Sequence, residues 1–367
     1  MKTERSYGLD FLKVLATIGI VFHHFQQVTG AVYEKHINFW GTWFYWGYLV
    51  EFFFILSGYF MYKYIDVIYD QKIHLSEWFL NRAKRLLPMV AISAVVYELV
   101  ILAYYFLHDQ SWMGIQVTVW GILITSLGIQ HGWAFSDPSV NYPTWYISVL
   151  ILCYVLFFVF TVIAKKLKTN PVYFYIFAVL LGCGIQTYGV SYPFFNASTA
   201  RGLYAFFFGL MLAMFVKKYG LPKRVISVSV LIVAFFTLVF IFRSTLVSNE
   251  LPYVLTFLLY PAIIVIFETN IVKRIFNNKL WGVAGNISFD VYLWHNPMIP
   301  LMYVVMTFFN FSIDFSKLSS MYIFTIISII VGIFSYYLCE RPLAKFVNKQ
   351  IEFFRSRRAQ ISENKHS

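Results

Sequence analysis

Lys13, Thr17, His24 and Gln27 recur on one face of the first apolar segment, with Asp10 just off it. At 100° per residue the eleven-residue step from Lys13 to His24 closes three turns to within about 20°, and a rise of 1.5 Å per residue separates the two by roughly 16 Å. They stand in line, one near a membrane face and one deep. Ionisable side chains in hydrocarbon cost several kcal/mol unless they face a bundle interior or a wet cavity, so they mark a site or a pathway by default.

Glu51 is expected to meet His24. His24 lies about five residues from the outer end of the first apolar segment and Glu51 about eight from the outer end of the second, which runs the opposite way, so their depths match. A carboxylate beside an imidazole fixes its tautomer and makes it a better base for a hydroxyl nucleophile. The same pair could instead only hold two helices together. Gly58, seven residues after Glu51, shares its face and admits a close neighbour, either a helix or a slender ligand; Ser57 beside it reads as a packing serine.

Arg82, Lys84 and Arg85 precede Pro88 and, with Lys13, form a candidate anion site at the cytoplasmic mouth. A topogenic cluster on lipid phosphate explains the same charges. In GNISFDVYLWHNP, His295 sits two residues before Pro297, whose ring leaves the Leu293 carbonyl without its usual donor. His295 then either assists catalysis or bonds that loosened backbone. Arg201, at the start of RGLYAFFFGL, either binds an anionic acceptor or pairs with a carboxylate.

The elements that position these residues are membrane helices. Hydrophobic residues make up 59% of the 367 and charged ones 13%, a balance of polytopic membrane proteins, and because the longest gap between apolar segments, roughly 108–143, is itself largely apolar, no appended soluble catalytic module is expected. Cys153, Cys183 and Cys339 all lie in apolar segments, which offers neither a disulfide framework nor metal-ligand spacing. The basic start and long apolar run, carrying His23 and His24, read as a retained first span and not as a cleaved signal.

Apolar stretches fall at 9–29, 43–66, 88–107, 144–164, 172–188, 201–216, 225–243, 252–269, 284–306 and 320–340, with an eleventh candidate at 114–132. Ten spans with both termini cytoplasmic leave Lys35, Arg201, Arg243 and Lys317 outside and the other 25 of 29 Lys and Arg inside. Adding the eleventh would place 17 of those charges outside, against the positive-inside rule. The expected fold is therefore all-α and polytopic, with ten transmembrane helices and a re-entrant or surface helix near 114–132. Residues 1–342 form one membrane domain, and 343–367 a cytoplasmic basic tail. The net charge of +12 is explained by inner loops and anionic lipid, without nucleic acid.

Several motifs resemble the acyltransferase-3 family of integral membrane acyltransferases, which move acetyl and related groups onto bacterial envelope carbohydrates. LDFLKVLATIGIVFHHF resembles its first helix, with Lys13 and His24 at the basic and histidine positions. EFFFILSGYF resembles its second-helix motif, NRAKRLLP its arginine-rich inner loop, and GNISFDVYLWHNP and CERP its last two helices. WYISVL, with Trp145 and Tyr146, resembles a motif that often ends in glutamate, where this chain has Leu150. No esterase-like domain of the kind some larger relatives carry accompanies these motifs.

The resemblance implies an enzyme of the bacterial plasma membrane that needs no metal and no permanently bound cofactor. Acetyl-CoA or a similar acyl-CoA is the expected co-substrate, its phosphates on Lys13, Arg82 and Arg85. His24 and Glu51 are the expected catalytic pair, with His24 as general base or as transient carrier of the acyl group, and Trp145, Tyr146, Arg201 and His295 the expected contacts of a glycan or lipid-linked sugar acceptor. The rival from another class is a secondary transporter or flippase of a lipid-linked sugar.

Overall fold

A computed structural model describes residues 5–34, 38–40, 45–116, 118–131, 133, 140–242 and 250–351. Lys35, Arg243 and the tail from 352 lie outside the described residues. The described chain is helical without a named strand: α1 (Tyr7–Thr29), α2 (Leu49–Met61), α3 (Ile65–Tyr69), α4 (Leu75–His108), α5 (Val119–Leu127), α6 (Trp145–Lys166), α7 (Val172–Tyr188), α8 (Ala197–Tyr219), α9 (Lys223–Phe242), α10 (Leu251–Val254), α11 (Tyr260–Phe267), α12 (Asn270–Ile275), α13 (Lys279–Phe308) and α14 (Leu318–Ser335). Each of the ten expected apolar segments contains helix. Among the described residues six helices are long and apolar enough to cross a membrane: α1, α4, Tyr142–Lys166, α8, α9 and Leu318–Ile351. Val172–Tyr188 and Leu251–Phe267 are apolar but shorter.

Local chemistry sets the ends. Gly30 closes α1 in the left-handed region at φ 67°, its N–H bonded to the Gln26 carbonyl, a conformation that costs a side chain with Cβ and costs glycine little. The Asn196 side chain accepts from the Thr199 N–H to start α8. Thr118 does the same for Gly121 at α5, whose nine residues span only about 13 Å, too short to cross hydrocarbon.

The arginine-rich segment is not a loop. Residues 81–88 lie within α4, which starts at Leu75 and carries Pro88 inside it. The alternation of Leu, Trp and Phe with Glu, Asn, Arg and Lys in LSEWFLNRAKRLL is an amphipathic helical pattern whose charges mask it from a hydropathy reading.

Two helix contacts carry the site. The slender occupant opposite Gly58 is α8: a Cβ on Gly58 would lie 1.9 Å from the Phe206 carbonyl oxygen, and one on Gly209 would lie 2.1 Å from that of Ile55. Only paired glycines let two backbones meet this closely. On the other side α1 packs on α13, where Gly285 lies against Asp10. Asp10 is buried between Arg5, at 2.5 Å, and Lys13, at 2.9 Å, and Arg5 also donates to the Gly282 carbonyl.

Candidate active site

A cavity of about 390 Å³, counting the open space at its mouth, is lined by Ile20, His23, His24 and Gln27 of α1, by Tyr45, Gly47 and Val50 at the head of α2, by Tyr142 and Trp145, by Arg201 and by Tyr292. The polar stripe of α1 thus ends in a cavity and not in lipid.

His24 pairs with His295, not with Glu51. His24 Nδ1 lies 2.7 Å from His295 Nε2, and the two rings are parallel to within 3°. His295 Nδ1 lies 2.7 Å from the Tyr292 carbonyl oxygen. A carbonyl only accepts, so His295 carries its proton on Nδ1 and its Nε2 is a lone pair; His24 must then donate from Nδ1. Its remaining nitrogen, Nε2, is left as an unprotonated base, with no protein partner among the described residues. His23 is fixed likewise, its Nδ1 2.7 Å from the Phe39 carbonyl.

Glu51 is fully buried and gripped by Arg201, with Nε at 2.6 Å from one carboxylate oxygen and Nη2 at 2.7 Å from the other, while the Tyr204 hydroxyl donates at 3.0 Å. Equal depth along two helices left the direction around each axis open, and α8 supplies the closer partner. Of the two readings of Arg201, pairing with a carboxylate is the one observed. Its Nη2 also donates to the Gly47 carbonyl at 2.7 Å, and the guanidinium carbon stands 5.0 Å from the Trp145 ring centre.

Trp145 lines the cavity, but Tyr146 does not: its hydroxyl bonds Ser57 Oγ at 3.0 Å and donates to the Phe53 carbonyl at 3.3 Å. Consecutive helical residues point about 100° apart, so only one of them faces inward. Tyr142, three residues before Trp145, takes the second place.

The carbonyl freed by Pro297 is not bonded by His295. Asn141 Nδ2 donates to it at 3.2 Å and to Ser93 Oγ at 3.1 Å, while Asn296 donates to Asn141 Oδ1 at 3.2 Å. The Tyr292 hydroxyl donates to the Pro143 carbonyl. The turn carrying Tyr142 and Trp145 is therefore clamped onto α13 beside His295. Asn141 was not singled out by sequence; the available signal was the unpaired Leu293 carbonyl, which required a donor from somewhere.

At the other end of the stripe the cations are held differently. Lys13 shares Asp10 and lies 4.5 Å from the Phe60 ring centre. Arg82 stacks on Trp78 at 3.6 Å and on Tyr64 at 4.4 Å, which leaves its in-plane N–H groups at the edge. Arg85 has no carboxylate partner among the described residues. None of these three lines the cavity at His24.

A family model described as an acyltransferase domain, that of the acyltransferase-3 group, matches residues 6–339. O-acetyltransferase OatA of Staphylococcus aureus (strain NCTC 8325 / PS 47) is 25% identical over 325 residues, covering 80% of this chain and 50% of its own. A protein of strain COL that bears a provisional O-acetyltransferase name is 24% identical over 332 residues, covering 81% of this chain and 51% of its own. The chain spans about half the length of these relatives. No solved structure matches it.

Proposed function

The chain belongs to the acyltransferase-3 family, and from that premise we propose that it transfers an acyl group, acetyl in the first instance, from a cytosolic acyl-CoA to a hydroxyl of an envelope glycan or its lipid-linked precursor. Ten spans with both termini cytoplasmic, in the bacterial plasma membrane, put Arg82, Arg85 and Lys13 at the inner face and the His24 cavity toward the outer one. The observation that carries the reading is the imidazole relay: the Tyr292 carbonyl fixes His295, His295 fixes His24, and His24 Nε2 is left as a base in a cavity.

The steps follow from those groups. Donor phosphates bind Arg85, the edge of Arg82 and Lys13, with the acyl arm rising along α1. His24 Nε2 takes the proton of the acceptor hydroxyl while its oxygen attacks the thioester carbon. The positive charge that develops on His24 is shared through Nδ1–H with His295. Collapse breaks the carbon–sulfur bond, and the proton passes from His24 to the CoA thiolate. Trp145 and Tyr142, as aromatic walls, suit a sugar ring.

The test is transfer of labelled acetyl from acetyl-CoA to alcohol acceptors in membranes holding the full chain. His24→Ala is expected to abolish incorporation while leaving the protein inserted. Persistent ester label in that variant would sink the assignment of the base, and a wild type that moves no label but carries a sugar across would favour a transporter.

A further inference from the structure

Arg201 carries five N–H donors in one plane, and the fold uses three of them. Nε–H and one Nη2–H grip Glu51, and the other Nη2–H binds the Gly47 carbonyl. The two donors on Nη1 have no protein partner among the described residues. The side chain is 19% exposed, and it is exposed into the cavity that also contains His24. Trp145 lies over the guanidinium, Tyr204 steadies Glu51 from the far side, and the backbone at Gly47 fixes the plane. A guanidinium whose other edges are saturated cannot turn its free edge elsewhere.

We propose that Arg201 Nη1 stabilises the oxyanion of the tetrahedral intermediate in the acyl-transfer step, and is not a contact for an anionic acceptor. The inference rests on the acyl-transfer reading above. As the acceptor oxygen bonds to the thioester carbon, the carbonyl π pair moves onto oxygen and its negative charge grows opposite the attacking hydroxyl. Donors already aimed at that point, and held by Glu51 at no cost of reorganisation, lower the barrier more than they bind substrate. When the carbon–sulfur bond breaks, the charge leaves with the thiolate and the carbonyl re-forms. Glu51 is thus a positioning residue for Arg201, which gives the buried carboxylate a role although it does not touch His24.

A purely structural Arg201 would do no more than neutralise Glu51, and the neutral pair separates the two roles. In the full chain, the double variant Arg201→Gln with Glu51→Gln keeps amide hydrogen bonding and removes both charges together. Its kcat for acetyl transfer from acetyl-CoA is expected to fall about 10²- to 10³-fold, as on loss of an oxyanion donor, with the KM for acetyl-CoA within twofold of wild type. Activity within threefold of wild type in the double variant would overturn the proposal while leaving the acyl-transfer reading intact. Should the neutral pair not insert, Arg201→Lys, which keeps a cation on Glu51 without the fixed Nη1 edge, is expected to show the same split, and a full kcat there would equally overturn it. A wild type without transferase activity sinks the reading itself.

Discussion

Replacing His295 tests the relay most directly. His295→Leu removes the acceptor that holds His24 Nδ1–H at 2.7 Å and leaves that N–H unsatisfied in a buried site. In the ground state this costs about 1–3 kcal/mol, and as His24 becomes cationic the lost bond is one to a charged group, worth about 1.5–3 kcal/mol. Only the excess of the second loss over the first slows the step; at about 1–1.5 kcal/mol, kcat falls by roughly 5- to 13-fold. With the donor contacts proposed at Lys13, Arg82 and Arg85, none of which lines the His24 cavity, the KM for acetyl-CoA is expected to be unmoved. His295→Gln, whose carbonyl oxygen still accepts from His24, should recover most of that loss. The assay is steady-state acetyl transfer in membranes, paired with thermal unfolding of the solubilised protein, since Leu also forfeits the bond to the Tyr292 carbonyl. A Leu variant with more than a third of wild-type kcat, or a Gln variant as impaired as Leu at equal stability, would refute the relay.

Two further outcomes follow from the packing and from the inner mouth. Gly58→Ala places a Cβ 1.9 Å from the Phe206 carbonyl oxygen, and a backbone oxygen cannot swing aside; overpacking of this kind costs about 1–3 kcal/mol, so the thermal midpoint in detergent should drop, and an unchanged midpoint would contradict the α2–α8 contact. Arg85→Ala should weaken acetyl-CoA binding about 10- to 100-fold, as the loss of one charge-assisted contact, while acceptor saturation is unchanged. Equilibrium binding and acceptor titration read the two separately, and equal effects on both would remove Arg85 from the donor site.

Charge in an apolar helix is conspicuous, which is why Lys13, His24, Glu51, Arg201 and His295 could be found from the chain alone. What sequence could not give was azimuth. Depth along the membrane normal follows from counting residues, so His24 and Glu51 were brought to one level; which neighbour each faces depends on helix rotation and packing, and those came from Gly58 meeting Phe206 and Gly285 meeting Asp10. Tyr146 points away from the cavity for the same reason, while Tyr142, in the short 3-10 turn at Tyr142–Thr144, lines it. The start of α4 was hidden by its own charges. Asn141 was invisible because a polar residue before a turn is ordinary, and its importance comes from a proline 156 positions later in the chain.

Locking α2 to α8 through bare backbone at Gly58 and Gly209, and again through Glu51 and Arg201, welds two elements into one strut. Any breathing that admits the proposed acyl donor has to happen elsewhere. The π turns at Leu255–Leu259 and Tyr336–Glu340 break the regular ladder of their helices, and such turns recur at functional sites. The bundle is therefore stiff where charge must be aimed.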